Sequence, residues 1–354
     1  MSTARVLAIA AGGAASHGGG GAGGFRDETG IELVDFNEYE VVVGEAAANG
    51  ENTFFKKADL DLLTVSSSFN AGDDATISHD VDVSTLLPNV GEIWAKITIS
   101  GTREGRIDGV SVTLEGSNLD ILYDGIYHFD VTSILSGKTE VTFTGRGDDN
   151  TATIAIVFEA NHLIHSIGGG FGNSGSRANG KFGGSGGGGA GNDRDGAGSG
   201  GQNVPGQGFS GSGGSVSNGA SGGTPSRPSR GGGGGGANQA GQPTSGGSGG
   251  DGGDGKLSDI TGANVRYAAG GRGTPSASNG DGYANPGAGG DADAADKSGK
   301  DGIVVIRYTR EDVTHTYVGG TITDVGGDRI HTFTSSGILS PFLPPLGAAS
   351  LVSK

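Results

Sequence analysis

Apolar residues along this chain either alternate with polar ones or gather in short β-branched runs. Nowhere do they recur at the 3.6-residue spacing of a long amphipathic helix. Ala4–Ala11, Tyr39–Val43 and Gly302–Tyr308 are such runs, each bounded by Gly, Asp or Asn, and Thr314–Val318 and Asp328–Thr334 continue the pattern. Ala4–Ala11 and Ile303–Tyr308 are apolar on both faces, which predicts central strands that pair with each other and are covered on both sides. The run Val6–Ala11 is shorter than the ~7–15-residue apolar stretch of a secretory signal and reads as a strand. From Pro341 to Leu346 the chain is too rich in proline for a central strand and reads as a docking tail.

Between Lys57 and His165 alternation predicts about seven short strands: Leu60–Val65, Thr76–Val83, Ile93–Ser100, Val110–Glu115, Ile126–Val131, Thr139–Thr144 and Thr153–Glu159. Regular spacing of this kind predicts a sandwich or jelly roll, with Trp94, Phe129, Phe143 and Phe158 in its core. Val131–Leu135 is the one place for a helical turn.

Composition changes the picture after residue 167. The chain has 77 glycines in 354 residues, and 50 of them lie in the 135 residues from Gly168 to Gly302. Only ten large apolar side chains occur there, too few for a conventional core. Disorder is one reading, because glycine loses the most backbone freedom on folding. A collagen helix needs a strict three-residue glycine period, which is missing, and Gly249–Asp254 is a single copy of what a calcium β-roll requires in tandem. The remaining ordered solution is glycine in polyproline-II geometry, with several helices side by side and each satisfying its neighbours' backbone groups. Gly186–Gly189 and Gly231–Gly236 would be inner segments, with turns at Asn192–Asp195 and Thr224–Pro228.

The expected architecture is therefore all-β, with essentially no α-helix. Residues 1–56 open a glycine-rich domain, 57–165 form an inserted sandwich, 166–302 the polyglycine block, 303–340 closing strands, and 341–354 a tail.

Several pieces in order carry a resemblance: Val6–Gly13, Gly18–Arg26, Tyr39–Gly44, Gly50–Phe54, Gly231–Gly236, Tyr267–Gly271 and Gly302–Tyr308. Together they resemble the glycine-rich domain of tailed-virus (phage) fibre and appendage proteins. The resemblance implies polyglycine-II helices packed beneath host-contacting loops. The chain departs from that pattern by the insertion after Phe55 and by Gly319–Gly337, which resembles a segment that usually precedes the glycine domain. Tyr127–Gly137 is similar to a strand-and-turn motif of galactose-binding-like jelly rolls, where it is structural.

Candidate chemistry is sparse. With no cysteine there is no disulfide, thiolate metal site or cysteine nucleophile. A net charge of −16 opposes nucleic-acid binding, and no apolar run approaches the ~20 residues of a membrane helix. His162 and His165 stand three apart beside Glu159; a regular strand would put the two imidazoles on opposite faces, which argues against a metal site. The other histidines read as isolated. Asp73-Asp74, Asp148-Asp149, Asp251/Asp254 and Asp291/Asp293/Asp296 offer oxygen ligands for Ca²⁺ or are solvated loop charge. Arg146-Gly147-Asp148 is an adhesion tripeptide or, more simply, a hairpin turn. No nucleophile–base pair, catalytic residue or cofactor motif is present, so the chain reads as a non-enzyme.

The function these features suggest is that of a virion structural protein, a tail-fibre or appendage component that presents a rigid glycine module for host attachment. It would be assembled in the host cytoplasm and oligomeric in the particle. Its partners would be other virion proteins and a host receptor or glycan. A capsid decoration, head-fibre or assembly protein is the alternative, and a cellular surface adhesin the third reading.

Overall fold

The computed structural model describes residues 2–34, 36–58, 64–71, 76–86, 92–100, 110–122, 125–147, 152–173, 179–192, 196–197, 199–208, 210–212, 230–245, 248–275, 277–311 and 316–342. Among them the fold is antiparallel β with one short α-helix, Thr132–Leu135, and one turn of 3₁₀-helix, Ser84–Leu86.

The two runs that are apolar on both faces do pair. Strand Ser2–Ile9 lies antiparallel to Ile303–Thr309, with Val6 opposite Ile306 and Ala8 opposite Val304, in the interior of a five-stranded sheet. Alternate side chains feed two cores. Val6, Ala8, Val304 and Ile306 pack with Tyr39, Phe55 and Tyr317 on one face. Leu7, Ile9, Ile303 and Val305 pack on the other with Phe25, Ile260 and Tyr267, and with Ala22, Ala237 and Ala268 from the glycine-rich segments. The partner on the other side of Ser2–Ile9 is Phe25–Leu33, a strand that the apolar runs of the sequence do not mark.

Sheet neighbours also define the state of one buried histidine. His331 accepts or donates at 3.0 Å to Tyr308 Oη through Nε2, while Nδ1 lies 2.8 Å from the Gly319 carbonyl. A carbonyl can only accept, so Nδ1 carries the proton and Nε2 of the neutral ring accepts from the tyrosine. Burial pushes the His331 imidazole below its ordinary value, against the pull of the Gly319 carbonyl. The unfolded chain therefore takes up this proton first, and the stabilisation is present above pH ~6.5 and lost as pH falls below it. A His331→Gln chain should show a smaller drop in melting temperature between neutral and mildly acidic buffer than the natural sequence; an equal drop would refute the assignment.

The insertion forms a sandwich. One sheet contains Glu92–Ser100 between Gly125–Asp130 and Ala152–Ser166; the other has the order Thr76–Asp82, Glu140–Gly147, Val110–Leu114, Ser117–Leu122. Ile97, Ile99, Val112, Leu114, Phe143, Ile156 and Phe158 fill the space between them. Phe129, expected inside, is only partly buried, and Trp94 belongs to a separate cluster with Ile167 and Val204. The last strand corrects an expectation. Predicted as Thr153–Glu159, it runs from Ala152 to Ser166 and leaves the sandwich to pair with Thr53–Lys57. Tyr39–Val42 and Gly337–Pro341 extend the same sheet beyond that pair. The expected 56/57 and 165/166 borders thus each fall inside a hydrogen-bonded strand. Of the proline-rich tail, residues 343–354 lie outside the described residues, as do most of both expected turns at 192–195 and 224–228.

The glycine segments carry almost no strand, yet the N–H groups of the inner segments 18–24 and 231–237 are all hydrogen-bonded. The N–H groups of Gly18, Gly21 and Gly24 donate to Asn173, Gly170 and Ile167 at 3.0, 2.8 and 2.7 Å. Those of Gly19 and Ala22 go to Gly232 and Gly235, and those of Gly20 and Gly23 to Gly290 and Gly287. Successive donors thus face three different neighbours, and every third donor returns to the same one. A period of three is that of polyproline-II geometry, and neither an α-helix nor a strand has it. The carbonyls repeat the rule: Gly19 and Ala22 accept from Gly188 and Ser185, Gly20 from Gly271, and Gly21 and Gly24 from Gly13 and Ala10. Segment 18–24 is therefore bonded to six others and buried throughout. Segment 231–237 follows the same rule, with Gly231, Gly234 and Ala237 donating to Thr274, Gly271 and Ala268, and Gly232 and Gly235 to Gly189 and Gly186.

Candidate functional site

Where they are described, the acidic groups offered as calcium ligands or solvated loop charge accept hydrogen bonds from the glycine-rich segments and their turns. Asp251 Oδ1 accepts from the Ser278 N–H at 2.6 Å and Asp254 Oδ1 from the Asp281 N–H at 2.9 Å, the same three-residue step carried by side chains. Asp291 accepts from Arg272 Nε at 2.8 Å, from Asn279 Nδ2 at 3.0 Å and from the Asp293 N–H at 2.8 Å. Asp296 caps Ser298 at 3.0 Å. Asp73-Asp74 and Asp148-Asp149 lie outside the described residues. Arg146 and Gly147 of the adhesion-like tripeptide are paired in strand Glu140–Gly147, opposite Ser111 and Val110.

The histidines overturn an expectation. His162 and His165 are on the same side of their strand, with rings stacked at 4.3 Å and 22°. Regular pleating would separate them, but the register shifts between His162 and Ile164 against Thr53–Lys57, and between Glu159 and His162 against Glu92–Ser100. A bulge adds one residue to one strand, so positions three apart come to share a face. Nor is His128 isolated: its ring lies 6.3 Å from that of His165. The walls are aromatic, with Phe54 5.0 Å from His162 and Trp94 5.1 Å from His165. Trp94 Nε1 donates to Glu92 at 3.0 Å, and Glu92 is held by Arg26 at 2.6 Å.

His162 is 0% exposed and His165 1%, yet Nδ1 and Nε2 of His162, Nδ1 of His165 and Nδ1 of His128 have no hydrogen-bond partner. A buried polar atom left in this state costs about 1–3 kcal/mol. Four such atoms in one cluster form the largest concentration of unsatisfied side-chain polarity among the described residues. Glu159 stands at the rim with its carboxylate 3.8 Å from His162 Nε2, too long for a hydrogen bond and close enough for electrostatic attraction.

Charge follows burial. Desolvation pushes His128 down to about 4, against the pull of Glu159. Burial likewise holds His165 well below its ordinary value, helped by His162, His128 and Arg26. Beside His162, the Glu159 carboxyl titrates below the usual carboxylate range. At neutral pH the cluster presents an ionised carboxylate beside the neutral imidazoles of His128 and His165.

Scans of the chain against protein-family models, curated proteins and solved structures give no match. Among the described residues no helix is long and apolar enough to cross a membrane.

Proposed function

We propose that this chain is a virion structural protein, a tail-fibre or appendage component whose glycine segments are polyglycine-II helices forming a rigid module for host attachment. The observation that carries the reading is the three-residue hydrogen-bond step, with inner segments such as 18–24 bonded to six neighbours. A core of this kind has no side-chain rotamers to order and leaves side chains to the turns between helices. Exposed Asp281 and Ala284 in one turn, and Asp293 and Asp296 in another, are examples. Such turns can vary in sequence while the lattice beneath them stays the same, which suits a surface that must match a host receptor or glycan. Weak contacts by each copy would be multiplied by the number of copies in the particle, with other virion proteins fixing their geometry.

Soluble protein added to host cells before the particles is expected to reduce particle adsorption in proportion to the sites it occupies. Unchanged adsorption, with the protein present in purified particles at the copy number of the capsid lattice, would replace this reading by capsid decoration.

A further inference from the structure

We propose that Glu159, His162 and His165 bind one divalent transition-metal ion of the zinc class. The inference is independent of the attachment reading and rests on geometry and donor chemistry. One donor atom from each of the three residues lies within 4.8 Å of the other two. Bonds of about 2.0–2.2 Å to a common ion would draw the donors together by roughly 1 Å. Rotation of the Glu159 side chain and splaying of the stacked rings supply that movement. Imidazole with carboxylate is a donor set for zinc and its first-row neighbours, whereas Ca²⁺ and Mg²⁺ take oxygen ligands.

Burial supplies the second, independent sign. Both nitrogens of His162 and Nδ1 of His165 are inside the protein with no partner. A metal ion takes one imidazole nitrogen through its free lone pair, so coordination would satisfy one of these atoms on each ring. The Glu159 side chain, 24% exposed, gives the ion a path in. Phe54 and Trp94 hold the rings from either side. The ion would sit on the bulge by which strand Ala152–Ser166 passes from the sandwich to the Thr53–Lys57 pair, and would fix the register there.

The test is a calorimetric titration of the chelator-stripped full chain with ZnCl₂, repeated with CoCl₂ to read the visible absorption of a tetrahedral site. One ion per chain is expected, with a rise in melting temperature on binding. Glu159→Gln keeps the shape of a partly exposed side chain and should weaken binding at least tenfold. His162→Phe, packed against Phe54, should abolish it while leaving the β-type circular dichroism unchanged. Should His162→Phe fail to fold, Glu159→Gln decides alone. Absence of saturable binding up to roughly 1 mM Zn²⁺, or binding that Glu159→Gln leaves unweakened, would overturn the proposal.

Discussion

A Gly234→Ala chain is expected to lose more than about 3 kcal/mol of stability, while Gly327→Ala changes it by less than about 0.5 kcal/mol. The same methyl group is added in both. At Gly234 it would overlap the carbonyl of Gly20, itself bonded to Gly271 inside the lattice. Neither side can yield by a rotamer change, because both are backbone, so the segments must separate and several hydrogen bonds lengthen together. At Gly327, in the exposed turn between Thr321–Val325 and Asp328–Phe333, nothing lies within 4 Å of the added atom. Urea unfolding of the two variants side by side measures the contrast. Equal, small effects would mean that the segments do not touch as described.

Phe143→Ala should cost about 3–5 kcal/mol and act on the sandwich alone. Phe143 is fully buried, its ring 5.7 Å from that of Phe158, between the two sheets. Truncation leaves a cavity that the facing strands cannot fill without breaking their register. The core it belongs to includes no residue of the lattice segments 18–24 or 231–237, so amide protection there should persist when the sandwich loosens. Hydrogen exchange followed peptide by peptide separates the two responses. Uniform loss of protection would show one cooperative unit in place of two cores.

Much of this fold is legible in the sequence because side chains report their surroundings. Val6–Ile9 and Val304–Ile306 are apolar at every position, and only a strand covered on both faces requires that. Alternation around Ile97, Ile99, Ile154 and Ile156 marks the sandwich in the same way. The order of the glycine segments is not legible, since Gly20 gives no sign that it bonds to Gly290 and Gly271 and not to others. A glycine run shows that backbones meet and leaves the partners unnamed. The histidine cluster was hidden for a different reason. Counting along Glu159, His162 and His165 assumes a regular pleat, and the shifts that break it arise from pairing with Thr53–Lys57 and Glu92–Ser100, remote in sequence. His128 reaches the cluster through the strand Glu92–Ser100, by its pairing with Lys96, which no local pattern reveals.

The central claim is that glycine backbones, bonded in steps of three, are a core. Amide hydrogen exchange of the intact protein tests it most directly. Residues 18–24 and 231–237 should exchange as slowly as the central strands Ser2–Ile9 and Ile303–Thr309, because their donors are buried and paired in the same degree. Exchange of these glycines at the rate of an unstructured chain, with the central strands still protected, would contradict the account.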